Sequence, residues 1–105
     1  MSARLRKIGR EECGPITGTL DDFSGGIDTA STSQTLAAEN NDRSYLHIQN
    51  HGPDVMWIQF GAAAVVGQPS IAIQPGESYV PSFVDSRAIH AISEDATNTF
   101  TAKQG

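Results

Sequence analysis

Residues 44–60 read SYLHIQNHGPDVMWIQF, and the fold turns on how that stretch pairs. Leu46 and Ile48 alternate with Tyr45, His47 and Gln49, while Met56, Ile58 and Phe60 alternate with Val55, Trp57 and Gln59. A period of two marks a strand with one buried face. The break between the runs holds Gly52, Pro53 and Asp54, residues that punctuate strands, so the stretch predicts a hairpin. Leu46, Ile48, Met56, Ile58 and Phe60 are the expected core face, with Asn50 on the side of Leu46 and Ile48. The opposite face carries Tyr45, His47, Val55 and Trp57, too apolar to be left wholly to water if contiguous.

Outward from this stretch the same grammar continues. Segments 31–38 (STSQTLAA), 70–74 (SIAIQ), 78–83 (SYVPSF), 88–93 (AIHAIS) and 97–102 (TNTFTA) are strand-sized, and Asn-Asn-Asp, Gly-Gln-Pro, Pro-Gly-Glu and Glu-Asp-Ala lie between them. Turn signals at about 8–12-residue spacing, without a sustained 3.6-residue period, predict an all-β domain, a sandwich or a barrel. Further core candidates are Ile71, Ile73, Tyr79 or Val80, Ile89, Ile92 and Phe100. Ile89 and Ile92 are three apart, which suggests a bulge between them. Residues 8–30 are rich in Gly, Ser, Thr and Asp, with Ile16–Leu20 as the only strand-like piece. The expected organisation is an extended N-terminal arm over residues 1–30 and a β domain over residues 31–105.

A chain of 105 residues supports one domain with a thin core. Twelve of its apolar residues are Ala, which bury little area each, so a partner chain is expected to complete its stability. Cys13 is the sole cysteine, which excludes an intrachain disulfide. Charge is uneven. Residues 1–10 hold Arg4, Arg6, Lys7 and Arg10 with no acid, whereas residues 11–105 hold three cations against 12 acids, a net of −9. An acidic body repels phosphates, so no direct nucleic-acid binding is expected. No apolar run approaches a membrane span of about 18 residues, and the opening MSARLRKIGREE lacks the apolar middle of a signal peptide. The expectation is a protein made in a cytoplasm, with no membrane partner.

The residues that carry chemistry point away from catalysis. His47, His51 and His90 lack a metal-ligand spacing such as H-x-x-x-H. No serine sits in a G-x-S-x-G elbow, and Cys13 has Glu11 and Glu12 beside it, which raise a thiol pKa. The acidic pairs Glu11-Glu12, Asp21-Asp22 and Glu94-Asp95 point opposite ways on an extended chain, so they do not deliver two carboxylates to one bond. No catalytic residue, metal site or cofactor is expected. Trp57 with Tyr45 remains. Such a pair can stack on a sugar, anchor a subunit interface, or lie under a second sheet.

The segments RSYLHIQN (43–50), DVMWIQFG (54–61), SIAIQPGESY (70–79) and AIHAIS (88–93) together resemble a recurrent module of small tailed-bacteriophage virion proteins. The resemblance covers about 70 residues and leaves residues 1–33 unmatched. It implies a small antiparallel β-sandwich, jelly-roll-like, with a non-enzymatic structural role. The role expected from it is that of a capsid decoration (cement) protein. Such a protein sits on the outside of the phage head, binds the major capsid protein and associates with itself as a homotrimer. The expected location is therefore the virion surface, after synthesis in the cytoplasm of a bacterial host. In that setting the basic leader, with Arg4, Leu5, Arg6, Lys7, Ile8 and Arg10, is the expected contact to the capsid or an adjacent partner. Tyr45, His47, Val55 and Trp57 are then the expected subunit interface or ligand face. The alternative is a small tail or fibre β domain that binds a partner protein or a host glycan.

Overall fold

The structure, a computed structural model, describes residues 20–105. Within them the chain forms nine strands: β1 (Asp21–Asp22), β2 (Gly25–Gly26), β3 (Gln34–Ala37), β4 (Leu46–Gly52), β5 (Met56–Phe60), β6 (Ile71–Ile73), β7 (Ser78–Tyr79), β8 (Ile89–Ile92) and β9 (Thr99–Gln104). All pairings are antiparallel. One sheet runs β1-β9-β4-β7, with β2 also on β9, and the other runs β3-β8-β5-β6. The fold is an all-β sandwich.

Taking β1 and β2 as one interrupted strand, the pairs nest: β6 on β5, β7 on β4, β8 on β3 and β9 on β1/β2. The described residues form one long antiparallel ribbon, rolled so that β4 also meets β9 and β5 also meets β8. This is the arrangement of a jelly roll.

The period-two reading of faces holds. Leu46, Ile48, Met56, Ile58, Ile73, Ile89, Phe100 and Ala102 are buried and belong to one core cluster. Phe60 and Tyr79 pack against it half-buried. Each fully buried Leu, Ile or Met contributes about 1.5–3 kcal/mol relative to exposure. Val80 and Ile71, by contrast, are exposed.

The hairpin expected over residues 44–60 does not form. β4 pairs with β9 and β7, and β5 pairs with β8 and β6, so the Asn-His-Gly-Pro-Asp break is a corner between the two sheets. Alternation specifies which side of a strand is buried but not which strand lies beside it. Two buried amides hold this corner. Asn50 Nδ2 donates to the carbonyls of Asp54 and Ile73, both at 2.8 Å, and Asn50 Oδ1 accepts from Gly52 N at 2.8 Å. Asn98 Nδ2 donates to the Asp54 carbonyl at 2.8 Å and to Asn50 Oδ1 at 3.2 Å, while its Oδ1 accepts from Asp54 N at 2.6 Å. Polar side chains buried this deeply are stable only when so paired.

The expected bulge between Ile89 and Ile92 is also absent. Ile89 and Ala91 face the core, and Ile92 points to the opposite side, opposite Trp57 in the register. The irregularity lies in the neighbouring strand, between Thr35 and Ala37. Of the expected arm, the part within the described residues is built into the sandwich. Asp21 and Asp22 pair with Gln104 and Lys103, Gly25 and Gly26 pair with Phe100 and Thr99, and Ile27 is buried in the core.

Candidate functional site

The residues singled out as one face are divided by the corner. Tyr45 and His47 lie on the outer side of the β4 sheet, next to inward-facing Leu46 and Ile48. Trp57 lies on the outer side of the other sheet, between inward-facing Met56 and Ile58, with Val55 just before that strand. The two outer faces point away from each other, so Tyr45 and Trp57 do not form one stacking platform. Arg4, Leu5, Arg6, Lys7, Ile8, Arg10 and Cys13 lie outside the described residues.

The histidines are dispersed over both sheets and each meets a hydroxyl. His47 Nε2 is 3.4 Å from Ser78 Oγ, His51 Nε2 is 2.6 Å from Thr101 Oγ1, and His90 Nδ1 is 3.2 Å from Thr35 Oγ1. Among the described residues no three His, Cys, Asp or Glu side chains converge as a metal site would require. Of the acidic pairs, Glu11-Glu12 lies outside the described residues, while Asp22 and Asp95 act at a sheet edge and in a turn. Asp22 accepts from Ser24 N at 2.9 Å, and Asp95 accepts from Thr97 N at 2.8 Å and Thr97 Oγ1 at 2.6 Å. Hydrogen bonding from Ser24 to Asp22 and from Thr97 to Asp95, side chain first and backbone second, with Lys103 assisting at Asp22, holds both carboxyls below the usual range.

The feature that sequence reasoning did not find is a cleft of about 520 Å³ on the side where the edge strands β6 and β7 fail to close the sandwich. These strands have only three and two residues. Buried Ile58 contributes to the lining, together with Phe60, Ile71 and Tyr79, while Phe83, Asp85 and Arg87 enter from the chain beyond β7. Ile71 pairs with Ile58 and shares its inward side, yet it is 37% exposed because the side is open. The rings of Phe60 and Tyr79 are 6.4 Å apart and tilted by 45°, within the range of favourable aromatic pairs. Phe83 is 95% exposed, which is unusual for a large apolar side chain.

The polar margin of the cleft is fixed by arginines. Arg87 Nη2 donates to Asp85 Oδ2 at 2.6 Å, its Nε donates to Asp85 Oδ1 at 3.0 Å, and its backbone N–H donates to Oδ1 at 2.9 Å. These bonds from Arg87, side chain first, with the nearby charges of Arg87 and Arg43, push the Asp85 carboxyl down to about 2. Tyr79 is shifted up, first by burial and then by the Asp85 charge. Gly61 makes room for this arrangement. Its φ is +80°, and a Cβ there would lie 2.9 Å from Arg87 Cδ. Beneath the margin Arg43 is buried, donating to Gln104 Oε1 at 2.7 Å and to the carbonyls of Asp85, Arg87 and Ala38 at 2.7, 2.9 and 3.0 Å. It ties the 85–87 segment to the end of β9. Burial lowers the Arg43 pKa, and Asp85 opposes that shift.

An open cleft of mixed apolar and polar lining beside a fixed ion pair is suited to non-covalent attachment. No family model matches the chain, and no match was found among curated proteins or solved structures.

Proposed function

We propose that this protein is a non-enzymatic structural component of a phage virion, a capsid decoration protein that seats on the outside of the head as a homotrimer and bridges capsid subunits. The observation that carries the reading is the coincidence of resemblance and architecture. The four segments that resemble phage virion modules supply β4, β5, β6, β7 and β8, including most of the buried core. Jelly rolls recur in viral capsid and lectin domains, an analogy of fold that becomes functional only through a surface. Here the body offers an open, partly apolar cleft with a fully exposed Phe83, and its acidic charge suits a position away from packaged DNA.

Attachment in this reading is divided between body and leader. Arg4, Arg6, Lys7 and Arg10 engage acidic patches on the major capsid protein, with Leu5 and Ile8 adding apolar contact. Exposed ion pairs contribute only about 0.2–1 kcal/mol each, so many copies must engage together. The test is co-sedimentation with heads assembled from the major capsid protein of the same genome. The full chain should pellet with the heads, and a chain lacking residues 1–12 should pellet less and lose its salt sensitivity. A full chain that stays in the supernatant refutes the reading, and binding to a glycan array instead favours the tail or fibre alternative.

A further inference from the structure

We infer that the cleft between β6 and β7 is a contact between copies of this chain, in which Phe83 of one copy packs into the cleft of the next. The inference rests on the reading of the body as a self-associating structural module, and supplies the surface that the reading lacks.

Three observations select a second copy as the occupant. A projecting apolar group and a depression lined in part by apolar side chains lie on one patch: Phe83 is 95% exposed, and beside it Ile58, Phe60, Ile71 and Tyr79, with Gln59, Asp85 and Arg87 as the polar part, line an opening of about 520 Å³. A patch that carries both parts lets each copy around an axis beside it seat the next. The charged margin has the same property. Asp85 and Arg87 are two residues apart and partly exposed, so around an axis beside the patch Asp85 of one copy meets Arg87 of the next. The ion pair within each copy is then extended by one between copies, and no charge is left without an opposite. The edges argue against an extended peptide as occupant. β6 and β7 are too short for a continuous ladder, and Pro69, Pro75 and Pro81 flank them without N–H donors. What docks here must do so through side chains.

The experiment is sedimentation velocity on the full chain across the micromolar range, without capsid shells, so that its outcome is independent of attachment to heads. Wild type should sediment as a closed oligomer. Phe83→Asp should weaken association at least about tenfold while keeping the wild-type circular dichroism spectrum and melting temperature, since Phe83 has almost no intramolecular burial to lose. Asp85→Arg makes the margin wholly basic and Arg87→Asp makes it wholly acidic, so each alone should be monomeric, and a one-to-one mixture should associate again, at least as a mixed pair. That recovery would not follow from a purely internal role of the ion pair. The inference is overturned if wild type is monomeric, if Phe83→Asp associates like wild type, or if the mixture stays monomeric. A monomeric wild type whose glycan binding is abolished by Phe83→Asp would assign the cleft to a sugar and likewise overturn it.

Discussion

Replacing Asn50 with alanine should destabilise the fold by about 3 kcal/mol. The side chain is fully buried and makes four hydrogen bonds at the corner between the sheets, to Asp54, Ile73, Gly52 and Asn98. Asp54 and Asn98 keep each other, because Asn98 still bonds both the carbonyl and the N–H of Asp54. The loss therefore falls on the Gly52 N–H and the Ile73 carbonyl, and deprivation of a buried partner costs about 1–3 kcal/mol per group. For a domain whose total stability is about 5–10 kcal/mol, this corresponds to a fall in Tm of roughly 12–24 °C. Urea denaturation followed by Trp57 fluorescence measures it, with an unchanged m-value showing that the unfolded state is unaltered. Asn50→Asp should be worse than Asn50→Ala, because it aims a carboxylate oxygen at two carbonyls. A cycle with Asn98→Ala should show a coupling of at least about 0.5 kcal/mol. A loss below about 1 kcal/mol for Asn50→Ala, or strict additivity in the cycle, would refute the account of the amides as a single clasp.

Asp85 makes stability sensitive to acid. Its carboxyl is held near 2 against an ordinary 3.8, so its contribution is complete above about pH 4 and is lost as the pH falls through 2; Asp22 and Asp95 act in the same direction. Acid titration of the melting temperature should show this, and Asp85→Asn should flatten the curve. Gly61→Ala should cost about 1–2 kcal/mol, from a methyl-bearing residue at φ +80° and from displacement of Arg87; carbonyl-detected NMR should then find the Asp85 pKa raised. Arg43→Leu should destabilise by about 3–5 kcal/mol in thermal unfolding, because three backbone carbonyls and Gln104 lose a charged donor. Arg43→Lys should recover only part of that, since one ammonium cannot span the positions reached by Nε, Nη1 and Nη2.

The parts of this fold that were legible in the sequence are those governed by local geometry. Leu46, Ile48, Met56 and Ile58 announce their buried side by alternation, and Asn50 follows them inward. Strand pairing is a different kind of information. Gly52-Pro53 reads equally well as the loop of a hairpin or as a corner between sheets, because both require the chain to stop its ladder and turn. Only the long-range partners, β9 beside β4 and β8 beside β5, decide between them. The same gap explains why Tyr45 and Trp57 were placed together and are not. Ile92 misled for a simpler reason, since a buried isoleucine can lie on the outer side of a sheet if its neighbours cover it. The cleft left little local trace, since Phe83 ends the strand-sized segment 78–83 and nothing beside it in sequence marks it as exposed. Its exposure results from the short β7 ending before Pro81.

The nesting of the strands also sets a timetable. β9 lies between β4 and the β1/β2 strand, at the middle of its sheet. Until Thr99–Gln104 has left the ribosome, β4 lacks its longest partner, β1 and β2 have no partner in the sheet, and one face of Leu46 and Ile48 has nothing complete to sit in. The β5–β6 hairpin and the pairs around it can form early, but the sandwich cannot close until β9 has emerged. Until β9 emerges, a nascent chain therefore presents an open apolar surface, and helper proteins at the ribosome exit should bind it until that strand is threaded into place.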